Sequence, residues 1–214
     1  MGTSAELRKA GIAALATAVL LAANLALLRT GPPASHPNAV LAWFTDNAAL
    51  VQAGAVAWLL AMLALVVFAV SLHDALWASV ADRSWTTVLF LHGAGVFATV
   101  AVAGAAISWA LAGLATDGAI GAETAGTLYA LDQALLRFAT WGMSVPLLVV
   151  AIALYRHSLL GQLCAVAAVL LVGALLVPLT WAVALHTLPA WLLLVAITLL
   201  VPARREVPIT ELAP

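Results

Sequence analysis

The sequence predicts an all-α integral membrane helical bundle of about six transmembrane helices, with both ends on the cytoplasmic side, and three observations lead there. Apolar residues make up 65% of the 214 and charged residues only 8%, with a mean hydropathy of +1.14. A water-soluble fold would have too little polar surface to cover itself. The apolar residues are gathered into runs, and roughly 20 such residues as a helix cross about 30 Å of hydrocarbon. Of the eight lysines and arginines, Arg8, Lys9, Arg83, Arg156, Arg204 and Arg205 fall at alternate ends of those runs, and Arg29 and Arg137 fall on the other side. Cytoplasmic loops collect positive charge, so the first group marks the inside.

Lipid offers the backbone no water, which leaves only helices or a closed barrel. Barrel strands alternate apolar and polar side chains, and stretches such as 56–65 do not. The expected spans are 11–28, 48–72, 86–114, 126–155, 159–185 and 188–203, in a single transmembrane domain over 1–214. Arg8 and Lys9 before the first run also suit a secretory signal, but the run is longer than the usual ~7–15 residues of such a core, so a retained signal-anchor is expected. Gly31-Pro32-Pro33 ends this helix, because proline cannot continue one, and the stretch through His36, Pro37, Asn38 and Trp43 reads as an external loop. Asp46 precedes the second helix as a cap for its free N–H groups.

An inside turn with Asp82, Arg83 and Ser84 joins the second and third spans, flanked by Trp77 and Trp85 as interfacial anchors. The third span carries Gly104, Ser108 and Ala112 at four-residue spacing, which permits close helix approach, and is expected at the centre of the bundle. Asp117-Gly118 and Gly121 make an outside turn. The fourth helix runs without a strong breaker from Glu123 to Pro146. Arg156-His157-Ser158 makes the fourth and fifth spans antiparallel neighbours, Pro178 kinks the fifth, and the sixth begins beside Pro189. The tail 206–214 is expected to be disordered.

Chemistry is sparse. The net charge of −1 argues against nucleic-acid binding, which needs a basic face. A lone Cys164 permits no intrachain disulfide and no cysteine metal cluster. His73, His92 and His157 lie toward the inner side without ligand spacing, so no metal and no cofactor are expected. His92 is expected to hydrogen-bond across helices. Thr17, Asn24 and Gln52 read as packing residues that pair with neighbouring helices. The deep spans hold almost no ionisable residue, which counts against a proton pump or a charged ion filter. No catalytic residue is assigned.

The candidate ligand-binding set lies on the outer half of the fourth helix. At 100° per residue, Asp132, Tyr129, Thr140, Gln133, Ser144, Arg137 and Trp141 share an arc of about 180°. Arg137 is suited to a carboxylate or phosphate headgroup, and Asp46, from the start of the second helix, is its expected ion-pair partner. The set is therefore Tyr129, Asp132, Gln133, Arg137, Trp141 and Asp46, as the polar wall of an outward-facing cavity.

Two stretches, Phe68-Ala69-Val70-Ser71-Leu72-His73-Asp74-Ala75-Leu76 and Leu131-Asp132-Gln133-Ala134-Leu135 through Ala153-Leu154-Tyr155-Arg156, resemble an uncharacterised family of small bacterial six-helix membrane proteins of unknown function. The resemblance implies a topology and no activity. The expected role is that of a multi-pass protein of the bacterial cytoplasmic membrane, in contact with the lipid bilayer, that holds a lipid or apolar small molecule or serves another membrane protein as accessory subunit. A transporter of a small apolar or amphipathic molecule and a membrane enzyme acting on a lipid or isoprenoid at the outer polar arc are the alternatives.

Overall fold

Because hydrocarbon cannot satisfy a free amide, the apolar runs fold as helices whose backbone bonds close within each run. The computed structural model describes residues 4–27, 31–32, 36–77, 85–155, 158–177 and 180–201, and these hold seven helices and no strand. They are α1 (Ser4–Leu27), α2 (Pro37–Asp46), α3 (Ala48–Trp77), α4 (Trp85–Thr116), α5 (Ala122–Tyr155), α6 (Leu159–Leu176) and α7 (Trp181–Leu200). All but α2 are long and apolar enough to cross a membrane. At 1.5 Å per residue, the 34 residues of α5 extend about 51 Å and outreach the hydrocarbon.

Each long helix packs on its neighbours in chain order, and α1 also packs on α7, so the six close into a ring. Neighbours run antiparallel. Asn24 near the end of α1 meets Gly54 near the start of α3, and Phe68 of α3 meets Phe90 of α4 edge to face at 6.3 Å. Gly93 and Gly104 of α4 lie against Pro146 and Asp132 of α5. Cys164 of α6 contacts Thr198 of α7 at 3.2 Å, and Gly11 of α1 sits against Leu199 and Leu200 of α7. Thr198 already donates to Leu194 O, so the Cys164 thiol is the donor in that pair.

Inside the ring, Met62, Phe68, Phe90, Phe97, Leu147 and Leu192 are fully buried, while Ile152 and Leu170 on the outer faces are each 69% exposed. Apolar side chains on both faces are what a lipid-surrounded bundle requires. The small α2 lies at the end of the ring where α4 finishes and α5 begins. There Val40 and Phe44 pack with Val51, Leu111, Ala112, Ala115 and Ala125 in a second apolar cluster.

Several expectations are corrected. Residues 37–46 form α2 rather than an external loop: Pro37 opens the helix, where its missing N–H costs nothing. Asp46 ends α2, exposed, instead of capping α3. The fifth span stops at Leu176 rather than running to 185, with Val177 extended, since a residue before proline disfavours helix. Pro189, expected at a boundary, lies inside α7, and His186 donates from Nδ1 to Ala182 O within that helix at 2.7 Å. The third span is a member of the ring rather than its centre, and His92 bonds Val88 O of its own helix at 2.8 Å rather than a neighbour.

The connections carrying Arg29, Arg83 and Arg156, with His157, the segment with Arg204 and Arg205, and the tail 206–214 lie outside the described residues. So do Pro33, Pro178 and the side chains of Trp77 and Trp85.

Candidate ligand cavity

At the α2 end of the ring the large interior side chains give way to Ala55, Ala101, Gly104 and Ala105. The space this leaves is a cavity of about 140 Å³ between α1, α3, α4 and α5, also lined by Asn24, Val51, Trp58, Ser108, Asp132, Gln133 and Leu136. Small residues pack helices closely only where the facing residue is also small. Here the space is shared between the void and one carboxyl group.

That carboxyl belongs to Asp132, about 15 Å along α5 from its start. Its side chain turns inward across the small face of α4. A Cβ added at Gly104 would stand 2.8 Å from Asp132 Oδ1, so any larger residue there requires the carboxyl to shift. Ser108, one helical turn further, donates from Oγ to Asp132 Oδ2 at 3.0 Å. The four-residue spacing of Gly104 and Ser108 places the gap and the donor on one face. The next member of that face, Ala112, is fully buried and packs under α2.

Asn24 is 5% exposed and donates from Nδ2 to the backbone carbonyl of Gly54 at 2.7 Å. This bond satisfies the amide across helices and leaves its oxygen as an acceptor at the cavity. Trp58, 7% exposed, forms part of the wall. The polar groups thus come from α1, α4 and α5 and meet within an otherwise apolar lining, the usual composition of a small-molecule site.

The polar arc of α5 is divided. Asp132 and Gln133 line the cavity. Gln133 also borders a groove on the outside of the ring, where Arg137, Phe138 and Trp141 of α5 face Leu175 of α6. Phe138 and Trp141 meet edge to face at 5.3 Å in that groove. Tyr129 leans on Phe44 of α2, ring centroids 6.0 Å apart. Thr140 and Ser144 are buried; Thr140 donates to Arg137 O at 2.7 Å, and the Ser144 hydroxyl has no partner among the described residues. The arc spans about 180° on a helix that touches neighbours on both flanks, so half of it faces the ring interior and half the outside.

The expected ion pair between Arg137 and Asp46 does not occur between these two described residues; pairs that do are Lys9–Glu6 and His73–Asp74. Asp46 lies outside the cavity lining, at the exposed end of α2. Among the described residues no three His, Cys, Asp or Glu side chains come together as a metal site would require. From sequence alone Asn24, Gly104 and Ser108 are packing residues, and nothing there distinguishes Trp58 from the apolar run around it. A polar residue near a helix end, facing small residues on the next helix but one, was the signal available.

No protein-family model, no curated protein and no solved structure matches the chain. The six-helix family resemblance therefore adds nothing to the site, which rests on its geometry.

Proposed function

We propose that the protein is a membrane-embedded holder of a small amphipathic molecule, taken up in the cavity between α1, α3, α4 and α5. The observation that carries this reading is the convergence of Asn24, Ser108, Asp132 and Gln133 on one void with apolar walls. A purely structural hydrogen bond such as Ser108 to Asp132 needs no void beside it, and close packing is the rule for protein interiors. A cavity of about 150 Å³ takes a benzene-sized ring, which sets the scale of the occupant at single-ring molecules rather than whole lipids.

The groove outside Gln133 supports access from the bilayer. Its walls are mostly apolar, and Arg137 sits in it beside Trp141, a pairing suited to the level of lipid headgroups. In this reading the bacterial cytoplasmic membrane surrounds the ring as a single domain, with both ends inside, and a second membrane protein drawing on the held molecule is the partner.

Native mass spectrometry after extraction in mild detergent tests the reading. The wild-type protein should retain a small molecule at stoichiometric level. Ala105→Phe, which fills the void from α4, should lose it while keeping its helical circular dichroism. A wild-type spectrum with no mass beyond bulk phospholipid, or an adduct indifferent to Ala105→Phe, would overturn it.

A further inference from the structure

We infer that the cavity selects a cationic head: its ligand class is a small primary amine, bound as the ammonium, on an apolar body of about one ring. This rests on the proposed function and specifies the occupant of that same cavity.

The polar lining is rich in acceptors. Ser108 spends its only hydrogen on Asp132 Oδ2, so its remaining capacity is lone pairs. Asn24 commits an amide hydrogen to Gly54 O and keeps its oxygen. Asp132 supplies a carboxyl group, of which one oxygen is held by Ser108 and the other lies over the bare Cα of Gly104. Gln133 commits an amide hydrogen to Asp132 and brings one further amide hydrogen and its oxygen. No lysine, arginine or histidine is among the described residues of the lining.

Such a site repels carboxylates and phosphates and favours a group with several N–H donors. An ammonium has three donors and no acceptor, and a charge-assisted bond to a carboxylate is about twice as strong as a neutral one. Trp58 adds an indole at the wall, and the indole face is the best of the aromatic side chains for a cation. A divalent metal ion is a poor alternative, because calcium takes six to eight oxygen ligands and magnesium a full octahedron of oxygens with several waters, whereas the lining holds one carboxyl group amid apolar side chains. Val51, Ala55, Ala101, Ala105 and Leu136 supply the apolar remainder, which a bare inorganic cation would leave unused.

Three probes of one size and different heads decide the matter on the full chain in mild detergent: benzylamine, benzyl alcohol and benzoate, titrated calorimetrically at pH 7. Benzylamine should bind with a Kd at least tenfold below that of benzyl alcohol, and benzoate should not bind. Asp132→Asn should bring the two Kd values within about threefold of each other by weakening benzylamine alone. The wild-type comparison stands even where that variant does not fold.

Equal affinity for amine and alcohol in the wild type, or a preference that survives Asp132→Asn, would overturn the inference and leave the apolar-holder reading in place. Failure of all three probes to bind, with no adduct in the native spectrum, would overturn both readings and leave the cavity to water.

Discussion

Asp132 shows how much a single residue depends on its neighbours in this lipid-facing protein. A carboxyl group inside a bundle is costly unless it is hydrogen-bonded. Ser108 supplies the bond and Gly104 the room. Replacing Gly104 with leucine forces the carboxyl out of place and overfills the contact, so Gly104→Leu should cost about 1–3 kcal/mol in detergent unfolding. Ser108→Ala removes the donor and should cost about 1–2 kcal/mol. Leu114→Ala, on a side chain 38% exposed, should change stability by about 0.5 kcal/mol or less. Comparable losses at all three positions would mean that the small face of α4 is not organised around Asp132.

Among the elements, α2 is the shortest and sits at the end of the ring, where it packs on Val51 of the cavity wall. Phe44, 2% exposed, ties it down, flanked edge to face by Trp43 and Tyr129. Truncating a buried phenylalanine costs about 3–5 kcal/mol in a well-packed core, more than a ten-residue helix can make up by its own propensity. Phe44→Ala should therefore abolish hydrogen-exchange protection over residues 37–46 while amides 139–155 of α5 keep theirs. Loss of protection in both would show that α2 and the ring unfold as one unit.

The junction of α6 and α7 makes a second prediction at this scale. Thr180 donates to Ala174 O at 2.8 Å, and Trp191 donates to Cys164 O at 3.0 Å, which holds the two helices in register. A short epitope inserted after Val177 should leave the protein expressed and folded, and the same insertion after His186 should destroy it. The reverse result would restore the longer fifth span.

For the whole molecule, the ring fixes relative directions, since every neighbour is antiparallel and α1 closes on α7. Which end faces the cytoplasm is a matter of charge. With six of the eight basic residues assigned inside, reporter fusions after residues 83 and 157 should be active only inside, and fusions after 118 and 177 only outside. Moving both lysine and arginine from positions 8 and 9 to the connection at 29–33 should disturb this pattern first at α1. An unchanged pattern would place the orienting charge elsewhere in the chain.

The all-helical class and six helices long and apolar enough to cross a membrane were legible in the chain because they follow from sums of apolar length against hydrocarbon thickness. Such sums survive ignorance of which side chain touches which. The short α2 was not legible, because Val40 and Phe44 become buried only when α4 and α5 supply the other half of their cluster. Pro178 and Pro189 could not be ranked either, since a membrane helix tolerates a proline whose lost bond its neighbours offset; Pro189 is one. The polar arc of α5 was visible as periodicity, but a helix flanked on two sides divides any broad arc between interior and exterior. Tertiary packing alone decided that Asp132 and Gln133 join Asn24 and Ser108 around a void while Arg137 and Trp141 face outward. The void itself is a property of no residue: it exists because Ala55, Ala101, Gly104 and Ala105, ordinary packing residues one by one, meet at the same level of the ring.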